Sequence, residues 1–78
     1  MRRLKLIWDF RGPNALRIAE HHHVHLKEYI KTSELNNIIV DFEALSDMHS
    51  IAFMVVDEDK MQPLRDILKP HRGQVFSD

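Results

Sequence analysis

The chain has no cysteine, which excludes disulfide staples and thiolate metal sites. It has only two glycines, and no glycine-rich phosphate loop. Charge of one sign is not in excess: 11 basic against 12 acidic residues leave a net charge of −1 with neutral histidines. That balance provides no electrostatic footprint for nucleic acid or an anionic membrane. No apolar run is long enough to span a bilayer. The basic Met1, Arg2 and Arg3 lead into an alternating segment interrupted by Asp9 and Arg11, not into the apolar stretch of a signal peptide. The expected location is therefore cytoplasmic, without membrane contact.

What is present is a globular composition, 44% apolar and 29% charged over 78 residues. So short a chain is expected to form one domain, residues 1–78, because a second core could not be closed. At this size apolar burial roughly cancels chain entropy. Self-association is the simplest further source of stability, and a homodimer is expected.

Leu4, Leu6, Trp8 and Phe10 alternate with Lys5, Ile7 and Asp9, the pattern of a half-buried strand. Pro13 suits the first turn of a helix running to about Lys31. At 100° per residue its apolar stripe collects Ala15, Ile18, Ala19, Leu26, Tyr29 and Ile30. A polar turn, Thr32 to Asn37, leads to a second strand over Ile38 to Phe42. Glu43 to His49 reads as a loop or irregular strand end. Ile51 to Val56 is apolar on both faces, as a central strand covered on both sides would be. Asp57 is placed to cap a second helix, with Glu58 and Asp59 suiting its first turn. Met61, Leu64, Ile67 and Leu68 give that helix its buried face, and Pro63 is tolerable only in its first turn. Gly73 turns the chain into a short last strand, Gln74 to Phe76.

The order β-α-β-β-α-β with right-handed crossovers predicts an α+β, ferredoxin-like fold. It has a four-stranded antiparallel sheet with two helices on one face and strands one and three in the middle. The other face of strand three then wants a lid, and a second subunit would supply one.

Two stretches resemble the dimeric α/β-barrel superfamily, in which ferredoxin-like subunits pack sheet against sheet. One is His22-His23-Val24-His25-Leu26-Lys27-Glu28-Tyr29-Ile30, similar to the H-x-x-H-L-x-x-L pattern of first helices in small members. The other, Ile51 to Leu68, is similar to their strand, acidic turn and helix. The resemblance implies a homodimer with a cleft between helix one and the sheet. Members hold small aromatic or acidic ligands or haem there, and some are enzymes that use a histidine of the first helix.

His21, His22, His23 and His25 are four histidines within five residues. On the helical wheel His22 lies mid-stripe between Ala19 and Leu26. His23 and His25 sit at its edges, His21 lies further toward solvent, and Val24 is opposite. Three readings compete. In the first, His22 is a core histidine with a hydrogen-bond partner. In the second, it lines a small-molecule cleft with His25, Trp8, Phe10 and Tyr29. There burial would lower its pKa and let it act as acid or base near neutral pH. In the third, His21 and His25, at i and i+4, share a divalent zinc, nickel or copper ion. His49, Glu43 or a partner subunit would then complete the ligand set.

Parity argues against a dyad between His22 and Asp9, since Asp9 falls on the opposite face from Leu6, Trp8 and Phe10, and only a bulge near Phe10 would bring it around. Pro70-His71-Arg72-Gly73 could bind an anion or form a plain turn. Met54 and Met61 read as core filling, and no nucleophile elbow or paired catalytic carboxylates are present. The functional expectation is a small ligand-binding or regulatory domain. The alternatives are a cofactor-independent lyase, isomerase or monooxygenase-like enzyme working through His22, and a metal-binding protein.

Overall fold

The alternation of the first segment becomes a nine-residue strand, β1 (Arg3–Arg11). Leu6 and Trp8 are buried on one side of it, and Phe10 packs against the same cluster. The computed structural model describes residues 2–35 and 38–76. After β1 come α1 (Ala15–Ser33), β2 (Ile39–Ser46), β3 (His49–Asp57), α2 (Glu58–Leu68) and β4 (Arg72–Phe76). The sheet order is β2-β3-β1-β4 with every neighbouring pair antiparallel. Both helices lie on one face, so the chain has the ferredoxin-like βαββαβ fold. The doubly apolar β3 and β1 hold the two inner places.

Several boundaries differ from the sequence reading. Residues 43–46 extend β2, and the hairpin to β3 turns tightly through Asp47 and Met48, with a register shift between Ala44 and Ser46. β4 begins two residues early, at Arg72. Helix α1 begins at Ala15, leaving Pro13 in the turn before it. In that turn Gly12 adopts φ 111°, a conformation that side chains disfavour, and its N–H donates to the Met48 carbonyl at 2.8 Å. The connection into α1 is thereby tied to the β2–β3 hairpin. Of the polar turn expected after α1, Asn36 and Asn37 lie outside the described residues.

Leu6, Trp8, Leu26, Ala52, Met54, Val56 and Leu64 form the buried cluster between sheet and helices, with Phe10, Tyr29, Val40, Phe42, Met61 and Leu68 packed around it. Ala15 and Ala19 are also fully buried, and their small side chains let α1 approach the sheet closely. Met54 fills the core as expected. Ile18 and Ile67 do not: they are 46% and 59% exposed, because each apolar stripe is wider than the strip of sheet beneath it.

Helix α2 departs from expectation at both its start and its middle. Asp57 occupies the N-cap position, but its carboxylate makes no capping bond; it faces the Arg3 guanidinium at 3.7 Å instead. The Glu58 N–H donates to the Arg2 carbonyl and the two side chains also pair, which anchors α2 to the start of β1. Pro63 lies in the second turn, not the first. The helix thus forgoes the bond to the Asp59 carbonyl, a local weakness. Its far end is fixed by Trp8, whose indole N–H donates to the Leu68 carbonyl at 3.1 Å.

The sheet face away from the helices carries Ile7, Ile51 and Val55, yet these are only 1%, 3% and 0% exposed in the single chain. The register explains how. Ile7 is ringed by Lys5 and Asp9 on its own strand, Phe53 across β3 and Arg72 across β4. The Lys5 ammonium lies 4.1 Å from the centre of the Phe53 ring, a cation–π contact. Much of the lid that β3 requires is therefore built from the chain's own long side chains. Ile39, 42% exposed, lies beside Val55 on this face.

Candidate functional site

Helix α1 sorts the four histidines much as the wheel did. His22 is half-buried, its ring centre 5.0 Å from that of Trp8 and 5.5 Å from that of Phe10. His23 packs on Phe42 at 5.1 Å. His21 is exposed, and so is His25, whose Nδ1 lies 3.7 Å from a Glu28 carboxylate oxygen. Tyr29 is half-buried against the core.

His22 Nε2 is buried with no hydrogen-bond partner among the described residues. Burial, then the fields of His25 and His71, lower its pKa. The shift favours the neutral ring, because burial penalises the charged form. As a base it is poised, but chemistry also needs an opening for substrate. None of the three surface grooves described below is lined by His22.

His21 and His25 are exposed neighbours one turn apart, and no group of three or more histidine or acidic residues among those described could hold a metal ion. His49, considered as a further ligand, is instead bonded to Asp9.

That pairing belongs to a cluster with no local signal in the sequence. On the sheet face opposite the helices, His49 Nε2 lies 2.8 Å from Asp9 Oδ1. Arg72 donates from Nε to Asp9 Oδ2 at 2.9 Å and from Nη2 to Oδ1 at 3.1 Å, a bidentate grip. The Arg72 guanidinium, helped by His49 and opposed by partial burial, holds the Asp9 carboxyl down at about 2. The same bonds raise the Arg72 pKa. Asp9 is thus a fixed anion, unfit as a general base, and it faces away from His22 as parity requires.

Where the β1–β4 ladder ends, a histidine extends it. The His71 N–H donates to the Ile7 carbonyl at 2.9 Å, and His71 Nδ1 accepts from the Asp9 N–H at 2.8 Å. An imidazole accepts only at an unprotonated nitrogen, so the neutral ring carries its proton on Nε2. The ring also meets Phe10, centre to centre 6.2 Å.

His71 further lines the largest of the three grooves, about 490 Å³, between α2 and the edge strand β4. Leu4 and Leu6 of β1, Met61 and Arg65 of α2, and the segment from Pro70 to Val75 form its walls. Its origin is local. Gly73 stands opposite Leu6 on the helix side of the sheet, where it has no side chain to fill the space beneath α2. Val75 on the same side is left 56% exposed. The other two grooves, one along Arg17, Ile18 and His21 and one beside Lys27, Ile30, Lys31, Ile38 and Val40, hold about 260 Å³ each. Where a cleft was expected between helix one and the sheet, the rings of Trp8, His22 and Phe10 pack together. The Pro70-His71-Arg72-Gly73 segment, read as a turn or a weak anion site, lines the largest of these three grooves.

No helix among the described residues is long and apolar enough to cross a membrane. Comparison with protein-family models, with curated proteins and with solved structures finds no significant match in any of the three.

Proposed function

We propose that the protein is a small-molecule-binding domain whose site is the groove between α2 and β4. One observation supports this above the rest: a space of about 490 Å³, within the range of ordinary ligand pockets, has an aliphatic floor and polar groups at its margin. Binding rather than catalysis fits the chemistry at hand. The carboxylate of Asp9 is neutralised by Arg72 on the other face, and His22 packs its ring against Trp8 and Phe10 and lines none of the three grooves.

Gly73 supplies the test. A Cβ added there would meet the Lys5 carbonyl at 3.6 Å and a Leu6 methyl at 3.8 Å, which are ordinary contacts. Gly73→Leu should therefore fold while filling the groove. An uncharged solvatochromic dye such as Nile red is expected to brighten and shift to the blue with the wild-type protein and not with G73L. Equal response from both folded proteins would place binding elsewhere and end the proposal.

A second reading is a homodimer through the sheet face opposite the helices, as in the superfamily the sequence resembles. Exposed Ile39 and half-exposed Phe53, adjacent to buried Val55, favour it. Sedimentation at micromolar concentration should then give a dimer that Ile39→Lys dissociates; a folded wild-type monomer would refute it.

A further inference from the structure

Resting on the groove just proposed as the binding site, we infer that its ligand is a small amphiphilic monoanion, an aliphatic body carrying a carboxylate held by Arg65. The groove has a consistent charge character. Its lining contains two arginines, a histidine and a glutamine but no aspartate or glutamate. Arg72 is already neutralised by Asp9. Arg65 is not: its one recorded side-chain bond is a long one, 3.3 Å, from Nη2 to the neutral Gln62 Oε1. No carboxylate among the described residues lies within ion-pair distance of it.

Arg65 and Met61 are one helical turn apart on α2 and both line the groove, so the Arg65 side chain borders the same wall as the aliphatic floor. A carboxylate there gains a planar, two-pronged donor. His71 adds to this. Because its Nδ1 accepts from the Asp9 N–H, its remaining nitrogen is a donor, and the ring lies on the lining. An uncharged ligand would bury its body equally well but form no ion pair with Arg65. A cation would meet only positive and neutral groups.

The body is specified by what it would touch. Leu4, Leu6, Met61 and Val75 are aliphatic or thioether surfaces, with methionine able to adapt its shape. From Val75 back to His71 the strand extends for roughly 13 Å at about 3.4 Å per residue. That suits a linear chain laid along β4 better than a fused aromatic body.

Octanoate and octan-1-ol, which share chain length and differ in charge, separate the two claims. Titration calorimetry at low ionic strength, with octanoate kept below its micelle concentration, should show octanoate binding about tenfold more tightly than the alcohol. Arg65→Gln should erase that advantage while leaving octanol affinity unchanged, and G73L should remove both. Added salt should weaken octanoate selectively. Equal affinities for acid and alcohol, or an octanoate affinity untouched by R65Q, would overturn the anionic class while leaving the groove standing. Binding of neither molecule, or binding that survives in folded G73L, would overturn the groove itself.

Discussion

Replacing Asp9 with asparagine should cost stability in a manner set by pH. The carboxylate accepts two bonds from Arg72 and faces His49 Nε2, and it is 17% exposed. Titrating at about 2 in the fold against an ordinary 3.8, it stores at most about 2.4 kcal/mol at neutral pH. Arg72 is 47% exposed, and solvent around it screens the pair, so about 1 kcal/mol is the expected share. Asparagine presents an NH₂ where one of the donors pointed, which removes the charge without leaving a void. In urea at pH 7, Asp9→Asn should therefore shift the midpoint by about 1 M, taking a slope of about 1 kcal/mol per molar for a domain this small. Because the folded pKa is depressed, this stabilisation is complete above the unfolded pKa and is lost as pH falls through the folded one. The gap between wild type and variant should therefore shrink from about pH 5 downward and close near pH 2. Other carboxylates titrate in both proteins and cancel in the difference. A gap that persists unchanged at pH 2, or none at pH 7, would refute the assignment. A cycle with Arg72→Gln should be non-additive, since both changes break one interaction.

The half-buried His22 imidazole gives the same pH sign in a higher window. His22 has a lowered folded pKa, so below the unfolded value of 6.5 the unfolded chain binds the proton more readily and stability falls with pH; His22→Phe should melt increasingly above wild type between pH 7.5 and 5.5, and parallel melting curves would contradict the burial of Nε2. Trp8→Phe removes the bond to the Leu68 carbonyl and part of a fully packed ring, a loss of about 2 kcal/mol. By circular dichroism this should lower the melting temperature by roughly 10 °C, whereas a change of a degree or two would mean that α2 is not held there. Leu26→Ala, at 2% exposure in the centre of α1, should cost about 2–5 kcal/mol, a large part of the stability available to so small a domain. A chelator should leave the wild-type melting temperature unchanged, because no group of three or more histidine or acidic side chains among the described residues is arranged to hold a metal ion; a drop would restore the metal reading.

The parts of this molecule legible in its sequence are those governed by periodicity within one element. Alternation at Leu4, Leu6, Trp8 and Phe10 assigned a face, and the 100° wheel separated His22 from His21 and His25 without knowing what they would touch. Contacts set by register were not legible. Asp9, His49 and Arg72 are 40 and 63 residues apart, and they meet because Arg11 aligns with His49 on one side of β1 and Ile7 with Arg72 on the other. A slip of one residue in either ladder would scatter them. The place of Pro63 in α2 was misread for a related reason. Pro63 was expected only in the first turn, but the ties from Glu58 to Arg2 and from Trp8 to Leu68 hold the two ends of a helix that carries it in the second, which local propensity cannot see.

The groove was hidden for the opposite reason, since it is made by what is missing. Gly73 looked like a turn residue, and in a short terminal strand that was a sufficient account. Within the sheet it sits opposite Leu6, in extended backbone that other residues could occupy, with room for a Cβ at ordinary contact distance. Backbone conformation therefore does not require glycine there. An added side chain would occupy the floor between Leu6, Met61 and Val75, and a larger apolar one would bury surface the present protein leaves wet. By stability alone, Gly73→Val should be favoured in a strand. Ligand binding would reverse that preference, since the same side chain closes the groove. A Gly73→Val variant that melts higher than wild type yet binds no octanoate would show that the empty position costs stability and serves the ligand. If G73V instead melts lower, the groove is a consequence of packing around Gly73 rather than a space held open for a ligand.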